Sequence, residues 1–142
     1  MRVLVSGDVL AAFRRRAVRR YPREYMETIW GKMVNGDAHI FSFQTIPHTG
    51  TRETCEYVYS DIVSQREDAE EDGLTMLGTI HTHPDGGSGP SESDMETART
   101  DGDMVSGILQ VLRVNGKKRT HFCFFVAQVS DLAVTRIKKG DK

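Results

Sequence analysis

An α/β fold built as a single domain is what this sequence predicts. Three observations carry that prediction. Segments with apolar residues at helical spacing alternate with short β-prone runs, an Asn-Gly dipeptide separates two of those runs, and 142 residues suffice for one substantial core rather than two. Apolar and charged residues, at 38% and 27%, are in the ordinary range for a globular chain, and six Phe, four Tyr and one Trp supply bulky core material, which argues against disorder.

The elements follow in chain order. Val3, Leu4 and Val5 are a short β-prone start, and Ser6-Gly7-Asp8 offers capping oxygens ahead of a helix with Val9, Leu10, Phe13 and Ala17 along one stripe, closed by Pro22. Met26 to Trp30 reads as a strand, Gly31 and Asn35-Gly36 as turn chemistry, and Ala38 to Ile46 as the returning strand, ended by Pro47. A polar loop is expected from His48 to Glu53, a brief strand at Tyr57-Val58-Tyr59, and a helix from Asp61 to Glu71 with Ile62, Val63 and Ala69 inward. Gly73 stops that helix, and Leu74 to Ile80 is a buried strand running directly into His81. Pro84 to Pro90, with three glycines and two prolines, is a loop, and Ser91-Glu92-Ser93-Asp94 opens a third helix to about Thr100. Val105 to Val114 and Thr120 to Val126 flank Asn115-Gly116, the pair favoured in type I′ hairpins. The domain is expected over 1–135, with a frayed tail at 136–142.

Composition excludes some functions. No run approaches the roughly 18–20 uninterrupted apolar residues of a membrane span. At the N-terminus charge follows a short apolar run, the reverse of a secretory leader. Cys55 and Cys123 lie in no CxxC or Cys/His cluster, so two free thiols and a cytoplasmic location are expected. A net charge of −1 hides a basic segment holding Arg14, Arg15, Arg16, Arg19, Arg20 and Arg23 and an acidic one from Glu67 to Asp72. Six arginines could meet phosphates, but without interleaved aromatics or a recognisable module a solvated helix face is the expectation, and nucleic acid is not expected as a partner. His39, His48 and His121 have no ligand-like partners at useful spacing.

The chemistry begins where the buried strand ends. His81 and His83 are two apart on a predicted strand, so the pleat turns both imidazoles to one face, and the loop that follows can return Asp94 from the first turn of the next helix. Two imidazoles and one carboxylate are a catalytic rather than a structural zinc set, since structural sites are usually closed by four protein ligands. One Zn2+ per chain is expected. Such a site needs a base to take a proton from water and pass it to a leaving amine, and a glutamate suits that role. Ser91, three residues before Asp94, can hydrogen-bond a developing oxyanion, cap the helix, or do both.

These residues resemble the JAB/MPN/Mov34 metalloenzymes, called JAMM or MPN-plus where the zinc site is kept. The family motif is His-x-His, seven residues, Ser, two residues, Asp; His81-Thr82-His83, Pro84 to Pro90, Ser91 and Asp94 match it at every spacing. Gly78-Thr79-Ile80 and Pro84 are also similar to family residues, and the resemblance spans roughly Val3 to Val126. The upstream catalytic glutamate of the family falls on Glu24 in Tyr21-Pro22-Arg23-Glu24-Tyr25-Met26-Glu27-Thr28-Ile29-Trp30-Gly31, with Glu27 as the competing base where the family commonly has glycine. The resemblance implies a curved, mostly antiparallel sheet flanked by helices, a cytidine-deaminase-like arrangement. It also implies a zinc-dependent peptidase or isopeptidase that cuts after the C-terminal glycine of a ubiquitin-like protein. Its alternatives are a non-catalytic MPN scaffold, a cell-wall or phage-tail peptidase, and a nucleic-acid-associated JAB protein.

Overall fold

The computed structural model describes residues 1–127 and 131–137. The chain runs β1 (Arg2–Ser6), α1 (Gly7–Val18), β2 (Met26–Val34), β3 (Asp37–Thr45), β4 (His48–Gly50), β5 (Cys55–Tyr57), α2 (Tyr59–Glu71), β6 (Thr75–Pro84), α3 (Glu92–Asp101), β7 (Ser106–Val114), β8 (Lys117–Phe125) and β9 (Ala133–Ile137). Seven strands form one curved sheet in the order β8-β7-β6-β2-β3-β1-β9, and β4 and β5 form a separate hairpin. Antiparallel pairings (β2–β3, β2–β6, β7–β8, β4–β5) outnumber the parallel ones (β1–β3, β1–β9, β6–β7). The expected mixed α/β domain is therefore present, with helices on both faces of its sheet.

Local sequence explains most elements. Ser6 caps α1 by accepting a hydrogen bond from the Val9 N–H at 3.1 Å, and Leu10, Phe13 and Ala17 bury the stripe that the helical spacing marks. That stripe packs on Val3, Val5, Ile29, Phe43 and Phe124. On the opposite face Trp30, Met26, Ile46 and Met76 meet Ile62 of α2, and beside them Ala98 of α3 packs on Ile108 and Phe125. Fully burying one such large side chain contributes about 1.5–3 kcal/mol. Because both faces are covered, β2 is buried continuously from Met26 to Gly31 rather than in alternation. Asn35-Gly36 and Asn115-Gly116 both turn with positive φ, as type I′ hairpins require.

Four expectations are corrected. Gly31 is no turn: it lies inside β2 at a bulge, where the β2–β3 register shifts between Trp30 and Gly31, and a Cβ there would sit 1.9 Å from the His39 carbonyl oxygen. The polar loop from His48 to Glu53 carries β4, and the brief strand beside it is Cys55–Tyr57 rather than Tyr57 to Tyr59, because Val58 and Tyr59 already begin the entry into α2. No local pattern marks 133–137 as an element, yet β9 pairs there with β1 in parallel through Ile137, two residues past the expected boundary at 135. The part of the tail at 138–142 lies outside the described residues.

The basic segment is not wholly solvated either. Arg16 of α1 forms a two-point bond to Glu27, at 2.6 and 2.8 Å, and Tyr25 donates its hydroxyl to the same carboxylate at 2.5 Å. Glu27 is completely buried. Burial, reinforced by the bond to Glu27, pushes the Tyr25 hydroxyl up to about 12, and the same carboxylate raises Arg16 further above its ordinary value.

Two consequences are measurable by urea denaturation. Glu27→Ala leaves the Arg16 guanidinium and the Tyr25 hydroxyl without their shared acceptor and lowers stability by about 3 kcal/mol. Gly31→Ala forces the β2–β3 bulge open and costs about 3 kcal/mol, the upper end of overpacking losses; an unchanged midpoint in either variant contradicts the packing described.

Candidate metal centre

The site is assembled by strand register. β6 pairs with β2 antiparallel, Met26 opposite His81, and the pairing continues one step beyond β2. There Thr82 donates its backbone N–H to the Tyr25 carbonyl at 2.9 Å, and its hydroxyl accepts from the Tyr25 N–H at 2.9 Å. Glu24, the residue before Tyr25, lines the same cleft as His81 and His83. Thr82 is buried while His81 and His83 are half-buried, so the pleat turns Thr82 into the protein and both imidazoles outward to a common face.

His81, His83 and Asp94 converge. The two Nε2 atoms are 3.2 Å apart, His81 Nε2 lies 3.1 Å from Asp94 Oδ1, and His83 Nε2 lies 3.0 Å from Asp94 Oδ2. Ligand atoms around a tetrahedral zinc with bonds of about 2.0–2.1 Å would be separated by roughly 3.3 Å, so this donor set fits such an ion with small adjustments. His83 Nδ1 is 3.1 Å from the Gly87 carbonyl, an acceptor that holds the proton on Nδ1 and leaves the Nε2 lone pair facing the cluster. The glycine-rich loop thus orients the imidazole as well as returning the chain.

Asp94 is held by a capping box. The Ser91 hydroxyl accepts from the Asp94 N–H at 3.1 Å while Asp94 Oδ2 accepts from the Ser91 N–H at 2.9 Å. Ser91 therefore caps α3, and its own hydroxyl proton stays free to be donated into the cleft it lines. Burial opposes ionisation of Asp94, but hydrogen bonds from His81 and His83 outweigh it and hold the carboxyl well below the usual carboxylate range. The Asp94 hydrogen bond raises His83 against the opposing effect of burial.

Glu24 and Glu27 part company. Glu24 lines the cleft with the His81–His83–Asp94 cluster, whereas Glu27, on the α1 side of the sheet, is consumed by Arg16 and Tyr25. Burial raises the Glu24 pKa; the two imidazoles, when charged, oppose that and Asp94 adds to it, so the carboxylate is within electrostatic reach of all three. The β4–β5 hairpin secures it from the other side: the Glu24 N–H donates to Thr51 O at 2.6 Å, and Gly50 packs so close that a Cβ would lie 1.9 Å from the Glu24 carbonyl oxygen.

The cleft itself has a volume of about 460 Å³. One wall is the β4–β5 hairpin with Glu53, Thr54, Cys55 and Tyr57, and the other is α3. Sequence reasoning missed this hairpin, the Gly87 carbonyl and the Thr82–Tyr25 clamp, since none has a local pattern that names its distant partner. Cys55 and Cys123 are not joined to each other in a disulfide; Cys123 is buried and Cys55 half-buried. Among the described residues no helix is long and apolar enough to cross a membrane.

Comparison with known proteins bears on the fold and on family membership. Residues 6–128 match the family model of prokaryotic homologs of the JAB domain. Among solved structures, the chain is similar to a protein from Salinibacter ruber (20% identity, TM-score 0.68, 100% of this chain and 95% of that one). It is also similar to one from Desulfitobacterium hafniense (16% identity, TM-score 0.67, 98% and 96%) and to a JAB1/MPN domain protein from Archaeoglobus fulgidus (15% identity, TM-score 0.56, 95% and 97%). At these identities the likeness is one of fold. Curated protein sequences show no significant match. The family match covers most of the chain, motif included, and the chain therefore belongs to the prokaryotic JAB-domain family.

Proposed function

We propose that the chain is a zinc-dependent amide hydrolase, holding one Zn2+ through His81, His83 and Asp94. The observation that carries this reading is the convergence of those three ligand atoms, all within 4.8 Å of one another, on a cleft that Glu24 also lines. When bound, zinc supplies a Lewis acid that polarises a scissile carbonyl and brings the pKa of coordinated water to about 7.

The chain's own residues do the rest. Glu24, anchored through its backbone by Thr51 and through Tyr25 by Thr82, takes the proton of the attacking water and returns it to the nitrogen of the departing amine. Ser91 donates its hydroxyl to the oxygen that gains charge, a role compatible with its cap because capping uses the oxygen and donation uses the proton. Glu27 takes no part: its carboxylate is already bound on the far side of the sheet.

For substrate, family membership supports a peptide or isopeptide bond after the C-terminal glycine of a ubiquitin-like protein in the cytoplasm. A glycine-terminated tail has no side chain to hinder its backbone between the β4–β5 hairpin and α3, and extended backbone is what a cleft wall of this kind can pair with. Metal analysis separates this enzyme from a non-catalytic scaffold, which would hold no zinc.

The decisive variant is Glu24→Gln: turnover of Gly-Gly-terminated fusions should fall by at least about 10²-fold while zinc stays at one per chain. Normal turnover in this variant would sink the assignment of the base. Ser91→Ala should cost about 1 kcal/mol of stability through the lost cap and lower kcat by about 10²–10³. A stability loss with unchanged kcat would reduce Ser91 to a cap alone.

A further inference from the structure

The cleft continues past the metal cluster to a second polar end that the hydrolytic mechanism does not use. Asp103 and Ser106 lie there, at the exit of α3 and the start of β7. Gly102 in the left-handed conformation turns the chain after α3, and the Asp103 N–H closes back on the Ala98 carbonyl at 3.0 Å. Asp103 stands beside Gly78 of β6, its Cβ 3.3 Å from where a Cβ of Gly78 would lie, and at a strand rise of about 3.3 Å per residue this is roughly 10 Å along β6 from His81.

Its surroundings ask for a cation. The Asp103 Oδ2 accepts one hydrogen bond, from the Ser106 hydroxyl at 3.0 Å, and Asp103 takes part in none of the ion pairs among the described residues. Four carboxylates line the cleft, Glu24, Glu53, Asp94 and Asp103, and no lysine or arginine does. At the near end His81 and His83 sit against Asp94; at the far end Arg66 acts on Asp103 through space but forms no ion pair with it among the described residues. Burial pushes the Asp103 carboxyl up to about 6, against the Ser106 hydrogen bond and Arg66 and with the help of Asp101, which marks a charge short of compensation. Between the two ends the cleft is lined by Met26, Ala98 and Phe125, apolar surface suited to an alkyl stem.

We propose that this far end is a cation subsite, in which Asp103, set by Ser106, receives the ammonium or guanidinium tip of a basic side chain whose alkyl stem lies along Met26, Ala98 and Phe125. A lysine side chain, five bonds of about 1.5 Å in staggered array, spans roughly 6 Å, and with the N–Cα bond of about 1.5 Å and an ammonium–carboxylate contact of about 2.8 Å it reaches roughly 10 Å from a scissile bond at the metal cluster. The substrate therefore carries a basic residue adjoining the bond that is cut. Its part in catalysis rests on the hydrolytic reading above; its binding does not.

The test compares N-acetyl-lysine amide with N-acetyl-norleucine amide, titrated by NMR into zinc-loaded wild type and Asp103→Asn. Asparagine still accepts from Ser106, so a purely structural Asp103 would leave both affinities unchanged. The subsite predicts that the lysine amide binds wild type at least about tenfold tighter, with shifts at the Asp103 and Ser106 amides, and that the preference disappears in Asp103→Asn. Equal affinities in wild type, or a preference that survives Asp103→Asn, overturn it. Should Asp103→Asn not fold, the wild-type comparison and the location of its shifts decide alone. Peptides with lysine, norleucine or glutamate beside the scissile bond, assayed in parallel, keep the two readings apart. Lysine preference in binding without hydrolysis of any peptide removes the hydrolytic reading and leaves the subsite, and hydrolysis without lysine preference does the reverse.

Discussion

Pairing of β2 with β6 is the interaction on which the site depends. The ladder brings Met26 opposite His81, and the two-way bond between Tyr25 and Thr82 carries the register to the residue before the strand. Glu24 is thereby placed beside a histidine pair that lies 57 and 59 residues further along the chain. A slip of one residue would turn His81 and His83 into the core and Thr82 into the cleft, because strand side chains alternate. Register is protected by burial on both faces: Ile29 and Trp30 are each fully enclosed, on opposite sides of the sheet.

Charge is divided across that sheet. On the α1 side one buried carboxylate, Glu27, is satisfied by Arg16 and Tyr25, and among the described residues no buried side-chain polar atom lacks a hydrogen-bond partner. On the cleft side carboxylates accumulate with no lysine or arginine in the lining. The first arrangement stabilises a fold, and the second is poised for cations, whether a metal ion at one end or a basic group at the other. Two glutamates three residues apart thus meet opposite sides of the sheet, Glu27 bound by Arg16 and Tyr25 and Glu24 lining the cleft.

Much of this was legible. Capping by Ser6, the α1 stripe and the Asn-Gly hairpins are local properties, and local sequence specifies them. The His-x-His at a strand end with Ser91 and Asp94 at their spacing is equally local, since strand pleat and the capping box set it within 14 residues. Less legible were elements whose reason is distant. Gly31 looks like a turn residue until the His39 carbonyl is seen against it, and β9 exists because β1 offers an edge. The β4–β5 hairpin hides in a polar stretch because its pairing is short and its role is to press on Glu24.

By itself the sequence determined an α/β domain, the elements that carry the motif, and a set of side chains with the donor atoms to hold a metal, because periodicity, caps and turn chemistry act over a few residues. Only the tertiary structure put Glu24 in the cleft and Glu27 against Arg16 and Tyr25, revealed the wall opposite α3, and joined Asp103 to the same cleft. Those outcomes depend on which strands become neighbours, and a contact between residues dozens of positions apart leaves no trace in the local pattern of either.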